Sequence, residues 1–318
     1  MDAQGIIDRR RLRRKLSFWR VAALLVVALC LVLAALAAGW RPGAALGPTI
    51  ARVEVTGLIT EDREMLDLLD DLAEDDAVKA VIVRVNSPGG TTVGGETLFH
   101  AVRRLAEAKP VAAEVGQLAA SAGYMVAMAT DRVVAHHSSI VGSIGVLFQY
   151  VDASVLLGRI GVDVAAVKSS PLKAEPSPFD PAPPEAREMI GRLVDSSYGW
   201  FKRLVTERRG FTPDQTDALS DGSVFTGEQG LENRLVDALG GEAEIRRWLE
   251  EERGVPKGLE IVEREPKREG TWGLGAATHA LATNLLGFDP AAAGLAQAVA
   301  GAAGHLDGMV SLWQPPAH

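Results

Sequence analysis

The sequence predicts an α/β protein built on a largely parallel sheet, and two observations carry that expectation. Ala80 to Val85 is a near-continuous apolar run with only Arg84 breaking it, the pattern of a strand buried on both faces. Short apolar runs of this kind then alternate with segments of helical spacing for most of the chain, as strand–helix crossovers require.

Taken in order, the elements are as follows. Ile50 to Val55 alternates apolar and polar residues like an entering strand, and Gly57 ends it. Asp62 to Leu72 places Met65, Leu66, Leu69 and Leu72 at helical spacing behind an acidic first turn. After strand 80–85 come a helix near Gly94 to Glu107, a strand over 110–115 and a short turn at Gly116-Gln117. Tyr124 to Ala129, small and apolar, reads as a buried helix. Then follow a strand over Arg132 to Ala135, a turn at Gly142-Ser143-Ile144-Gly145, an apolar strand to Phe148 and a helix from Asp152 to Ile160. Six prolines between residues 169 and 184 predict a stiff extended loop, with Lys173 near its start. A long helix (Glu185 to Arg209), a short one opened by Pro213, small elements at 224–227 and 235–237, and a charged helix at 242–252 complete the body. Residues 271–318 are Ala/Gly/Leu-rich without Lys or Arg, and are expected to form one or two helices packed on the body or on a neighbouring subunit.

With 318 residues, 47% of them apolar, the chain can bury a sizeable core. Residues 1–20 hold seven Lys/Arg against two Asp, so the formal charge of −8 leaves −13 on the remainder. That acidic bulk excludes a nucleic-acid partner. The single cysteine, Cys30, allows neither a disulfide framework nor a thiolate metal site, and the six histidines show no ligand spacing. No metal and no cofactor is expected. Val21 to Trp40 is 20 uncharged residues between Arg20 and Arg41, the length of a transmembrane helix, with Trp19 and Trp40 suited to the interfaces. The basic cluster Arg9 to Lys15 should remain cytoplasmic, placing the rest outside. A cleaved signal peptide ending near Ala35-Leu36-Ala37 is the competing reading, and it leads to the same side of the membrane. The expected division is a basic segment 1–20, a transmembrane helix 21–40, a catalytic domain 41–265 and an extension 266–318.

Ser121, within Ala120-Ser121-Ala122-Gly123-Tyr124, opens the buried helix. Most serines there are only N-caps, yet unpaired N–H groups and the helix dipole also suit a nucleophile that develops negative charge. Gly89-Gly90, after Asn86-Ser87-Pro88 at the end of a buried strand, can turn backbone N–H groups into a cleft as an oxyanion hole does, although a Pro-Gly-Gly is more often a simple turn. A serine needs a base, and His136-His137, adjacent at a strand end, would face opposite ways. A lysine serves if burial lowers its pKa from about 10.4 toward 7–8, a shift of roughly three units or about 4 kcal/mol.

These segments, together with Val141-Gly142-Ser143-Ile144-Gly145-Val146, Lys168-Ser169-Ser170-Pro171-Leu172-Lys173, Thr226-Gly227 and Leu235-Val236-Asp237, stand in the order and approximate spacing of the signal peptide peptidase A family, which the chain resembles over about residues 50–250. The resemblance implies a membrane-anchored serine peptidase with the fold shared by Clp protease and crotonase. It makes Ser121 the nucleophile and Lys173 the general base. Gly90 would supply an oxyanion N–H with Gly89 beside it, and Ser143 would help hold the lysine. It also implies ring-like homo-oligomers that degrade cleaved signal peptides and other apolar segments at the membrane. Ala122 stands where members often have glycine, and Lys168 is a second candidate base. A crotonase-like acyl-CoA enzyme and a non-catalytic oligomeric scaffold at the membrane are the alternatives.

Overall fold

The computed structural model describes residues 19–30, 47–267 and the backbone of 309–312. Residues 19–30 are helical; the rest of the expected span, 31–40, lies outside the described residues. Among the described residues no helix is long and apolar enough to cross a membrane.

Residues 47–267 form an α/β body around one sheet, which with residues 309–312 counts ten strands among the described residues. Its centre is β1 (Thr49–Ile59), β2 (Val78–Thr91), β3 (Val111–Ala120) and β4 (Arg132–Ala135), all mutually parallel. The helices that enclose one face are α1 (Arg63–Glu74), α2 (Thr92–Ala108), α3 (Ala122–Ala129) and the long helix Pro184–Arg209. Capping fixes two of their starts. Asp62 accepts from the Met65 N–H at 2.9 Å, and Thr91 accepts from the Gly94 N–H at 3.0 Å. Every residue of α3 is buried, as its composition requires.

Two departures within the sheet position the site. Up to Val115, β3 runs beside β4; from Leu118 it pairs instead with β5 (Ile140–Gly142). Between the pairs Val85–Val115 and Ser87–Ala119, Asn86 alone stands opposite residues 116–118, so the expected turn at Gly116-Gln117 is a bulge within a continuing strand. Gly142 likewise ends a strand rather than opening a turn. The predicted strand to Phe148 shortens to β6 (Leu147–Phe148), and the helix before Ile160 to α4 (Ser154–Arg159).

The long helix is α5 (Pro184–Arg209), followed by α6 (Pro213–Leu219), β7 (Val224–Thr226), α7 (Gly227–Glu232), β8 (Ala238–Leu239) and α8 (Glu242–Glu251). The second face of the sheet is covered by α8 through Ile245, Trp248 and Leu249 on Ile50, Ile82 and Val134. β9 (Glu260–Glu263) adds to β1 in parallel. In the extension, where helices were expected, residues 309–312 form β10, antiparallel to β2 at Gly89–Thr91 and to β6. Most of that extension, with the helices expected in it, lies outside the described residues.

Candidate active site

Ser121 sits at the point where β3 passes into α3, and its backbone is left-handed, with φ 55° and ψ −118°. Non-glycine residues pay strain there, of order 1–3 kcal/mol. The neighbours hold it in place: its N–H donates to the Gly142 carbonyl at 2.8 Å, and its carbonyl accepts from the Met125 N–H at 2.9 Å. The hydroxyl caps nothing in α3, so the capping explanation of this serine fails. It lies 3.5 Å from the Gly145 carbonyl, at the outer limit of a hydrogen bond, and the residue is buried.

The Gly89-Gly90 turn is braced from within. The buried Ser87 hydroxyl donates to the Gly57 carbonyl at 2.7 Å and accepts from the Gly89 N–H at 3.1 Å. Gly90 lies so close to β1 that a Cβ on it would fall 1.8 Å from the Ile59 carbonyl oxygen. Gly123 is equally constrained, since its Cβ would approach the Ser87 carbonyl oxygen at 2.6 Å. The Ser87 turn and the start of α3 are therefore locked against each other. Ala122 is accommodated because its Cβ faces Gly95, the glycine one turn into α2.

Ser143, φ 52°, is buried, and its N–H donates to the Ser223 carbonyl at 2.7 Å. β7 pairs antiparallel with β5, setting the Phe225 ring against Gly142. This bracing by residues 223–225 escaped sequence reasoning; the Val224-Phe225 pair, read there only as a small element, was its one trace.

Lys173 stands exposed in the proline-rich loop, its N–H bonded to the Ser170 carbonyl at 3.1 Å. Among the described residues no hydrogen bond joins Lys173 to Ser121. Lys168 forms an ion pair with Glu175, whose second oxygen accepts from the Ser177 N–H at 3.0 Å. The Lys168 contact, then the Ser177 N–H, holds the Glu175 carboxyl below its usual range. The structure thus gathers Ser121, Gly89, Gly90 and Ser143 around the ends of β2, β3 and β5, and leaves both lysines in the loop. No group of His, Cys, Asp and Glu suited to a metal occurs among the described residues.

A serine with strained backbone, no capping role and a glycine turn locked to its helix is what acyl transfer needs. The model of peptidase family S49 matches residues 103–256. A Methanocaldococcus jannaschii protein named "Putative protease" is 37% identical over 67% of this chain and 68% of its own length. The chain belongs to peptidase family S49. Protease 4 of Salmonella typhi is 34% identical over 61% of this chain and 33% of that protein, and the chloroplastic serine protease SPPA of Arabidopsis thaliana is 26% identical over 80% and 38%. The resemblance to signal peptide peptidase A is thereby confirmed, and the protein is a serine peptidase. Membership in a peptidase family removes the scaffold and acyl-CoA readings.

Proposed function

We propose that the chain is an endopeptidase with a Ser121/Lys173 dyad, acting on signal peptides and other apolar segments at the membrane. The observation that carries this reading is the geometry of Ser121: a buried hydroxyl released from capping at the head of α3, beside the Gly89-Gly90 turn. Ser121 Oγ attacks the scissile carbonyl while Lys173 takes its proton. The carbonyl oxygen gathers charge and is met by the Gly90 N–H, with Gly89 beside it. Protonated Lys173 then returns the proton to the leaving amine, and a water repeats the sequence to release the acyl group. Ser143 positions the amine. Lys168 is unsuited to the role, since its amine is engaged in the ion pair with Glu175.

An amine that must be neutral near pH 7 needs desolvation, and Lys173 is exposed in the single chain. Val151, Val155, Leu156, Ile160, Val167 and Leu172 are exposed in the same stretch, an amount of apolar surface that monomers seldom show water. A neighbouring copy covers both in this account, so the working enzyme is a homo-oligomer. The architecture we assign is that of Clp protease and crotonase. The chain is held by residues 21–40 as a single span, with its catalytic domain on the extracytoplasmic side of the cytoplasmic membrane. Labelling of the full chain in detergent by a serine-directed fluorophosphonate tests the nucleophile. Label on Ser121, abolished in Ser121→Ala, is expected; label on any other serine would overturn the assignment.

A further inference from the structure

A second cleft lies on the sheet face opposite α3. Parallel sheets are normally covered on both faces, but α8 begins only at Glu242 and covers the half around Ile82 and Val134. Gly241, just before it, abuts the His136 ring and the buried Glu114 carboxylate. Beyond this rim the strands carry polar residues, and a cavity of about 630 Å³ opens along their C-terminal halves. That volume falls in the range of small-molecule sites, and the C-terminal side of parallel strands is where such folds place ligands. The bulge at 116–118 turns Gln117 toward this cavity, whose walls include Thr56, Asn86, His136 and Ser138. None of these residues serves the peptidase chemistry.

The floor carries the recognition pattern. Glu54 and Arg84 are register partners on β1 and β2, their side chains 3.3 Å apart and each about half exposed to the cavity. One anion and one cation thus stand side by side on adjacent strands as an ion pair, each with an open side toward the cavity. A polyanion would meet Glu54, and a bare cation would meet Arg84. A zwitterion satisfies both charges.

We propose that this cleft binds a free α-amino acid with a polar side chain, its carboxylate on the Arg84 guanidinium and its ammonium on the Glu54 carboxylate. The guanidinium fork matches a carboxylate in two-point contact. The amides of Asn86 and Gln117 and the hydroxyls of Thr56 and Ser138 supply partners for a polar side chain, and Ile140 is the one apolar side chain among the lining residues.

The test is isothermal titration calorimetry of L-glutamine against the full-length protein, which requires no turnover and so stands or falls apart from the dyad. Removing one charge at a time gives the controls: the methyl ester lacks the carboxylate and N-acetylglutamine lacks the ammonium. Glutamine should bind at least tenfold more tightly than either derivative. Arg84→Gln should weaken glutamine tenfold while leaving the ester unchanged, and Glu54→Gln should do the same for glutamine against the N-acetyl form. Gln117→Ala, away from the ion pair, should weaken glutamine with an unaltered melting temperature. Absence of glutamine binding, equal binding of the derivatives, or binding indifferent to Arg84→Gln would overturn the proposal. A change in assembly mass in Arg84→Gln would do so too, by showing the cleft to be a subunit contact.

Discussion

Gly123 is the residue at which fold and chemistry are hardest to separate. Its missing side chain lets the head of α3 rest on the Ser87 carbonyl, 2.6 Å from where a Cβ would stand. Gly123→Ala should therefore lower stability by about 1–3 kcal/mol, the usual cost of overpacking, and lower kcat with it. Denaturant melts read the first and peptide hydrolysis the second. Unchanged values of both would mean that the Ser87 turn yields freely. Ser143→Ala should be milder, because in the proposed mechanism the residue only positions the amine: the acidic limb of kcat/KM should move while most turnover survives. The sequence made Ser121, Gly89, Gly90 and Ser143 visible through residue type and order. It could not show that Ser121 adopts φ 55°, because that depends on β3 changing partners from β4 to β5 and on the Gly142 carbonyl that receives its N–H.

Among the elements, those defined by their own periodicity were legible and those defined by partners were not. Met65, Leu69 and Leu72 announce α1, and Ala80 to Val85 announces β2, because burial on one stripe or on both faces leaves a pattern in the chain itself. β9 reads Glu-Ile-Val-Glu and becomes a strand only through β1, as β10 does through β2 and β6. The loop around Lys173 belongs to the second kind, since Lys168, Glu175 and the Ser177 N–H organise it. The Glu175 carboxyl is depressed, so its contribution to loop order is present above the ordinary carboxylate range, about pH 4.3, and is lost as pH falls through its lowered value. Hydrogen exchange across residues 168–179 should accelerate below that point, and Glu175→Gln should show fast exchange at every pH. Exchange independent of both would detach the loop's order from this pair.

At the scale of the whole molecule, the proposed anchored assembly rests on the charge asymmetry of the sequence and the exposed apolar stretch near Lys173. Protease added to intact spheroplasts should digest the catalytic domain, and protection until lysis would refute the orientation. Light scattering of the chain without residues 1–41 should give a multiple of about 30 kDa, the mass left of 33.7 kDa. An active monomer would remove the neighbouring copy from the mechanism. An apolar site should also prefer Leu/Ala/Val-rich peptides, because an uncompensated charge in such a pocket costs several kcal/mol. Equal kcat/KM for peptides differing by one Leu→Asp change beside the scissile bond would contradict that preference.

The assignment of Lys173 as base is the claim on which the rest depends, and kcat/KM against pH for an apolar peptide tests it most directly. With the wild-type chain the rate should rise as Lys173 loses its proton, since that limb reports the free enzyme. Ser121→Ala and Lys173→Ala should each remove nearly all turnover, and the double variant should be little worse, because the two act as a unit. Lys173→Arg should be equally inactive, since a guanidinium stays protonated, whereas Lys168→Ala should keep the wild-type limb. Substantial activity in Lys173→Arg together with its loss in Lys168→Ala would contradict the account and make Lys168 the base.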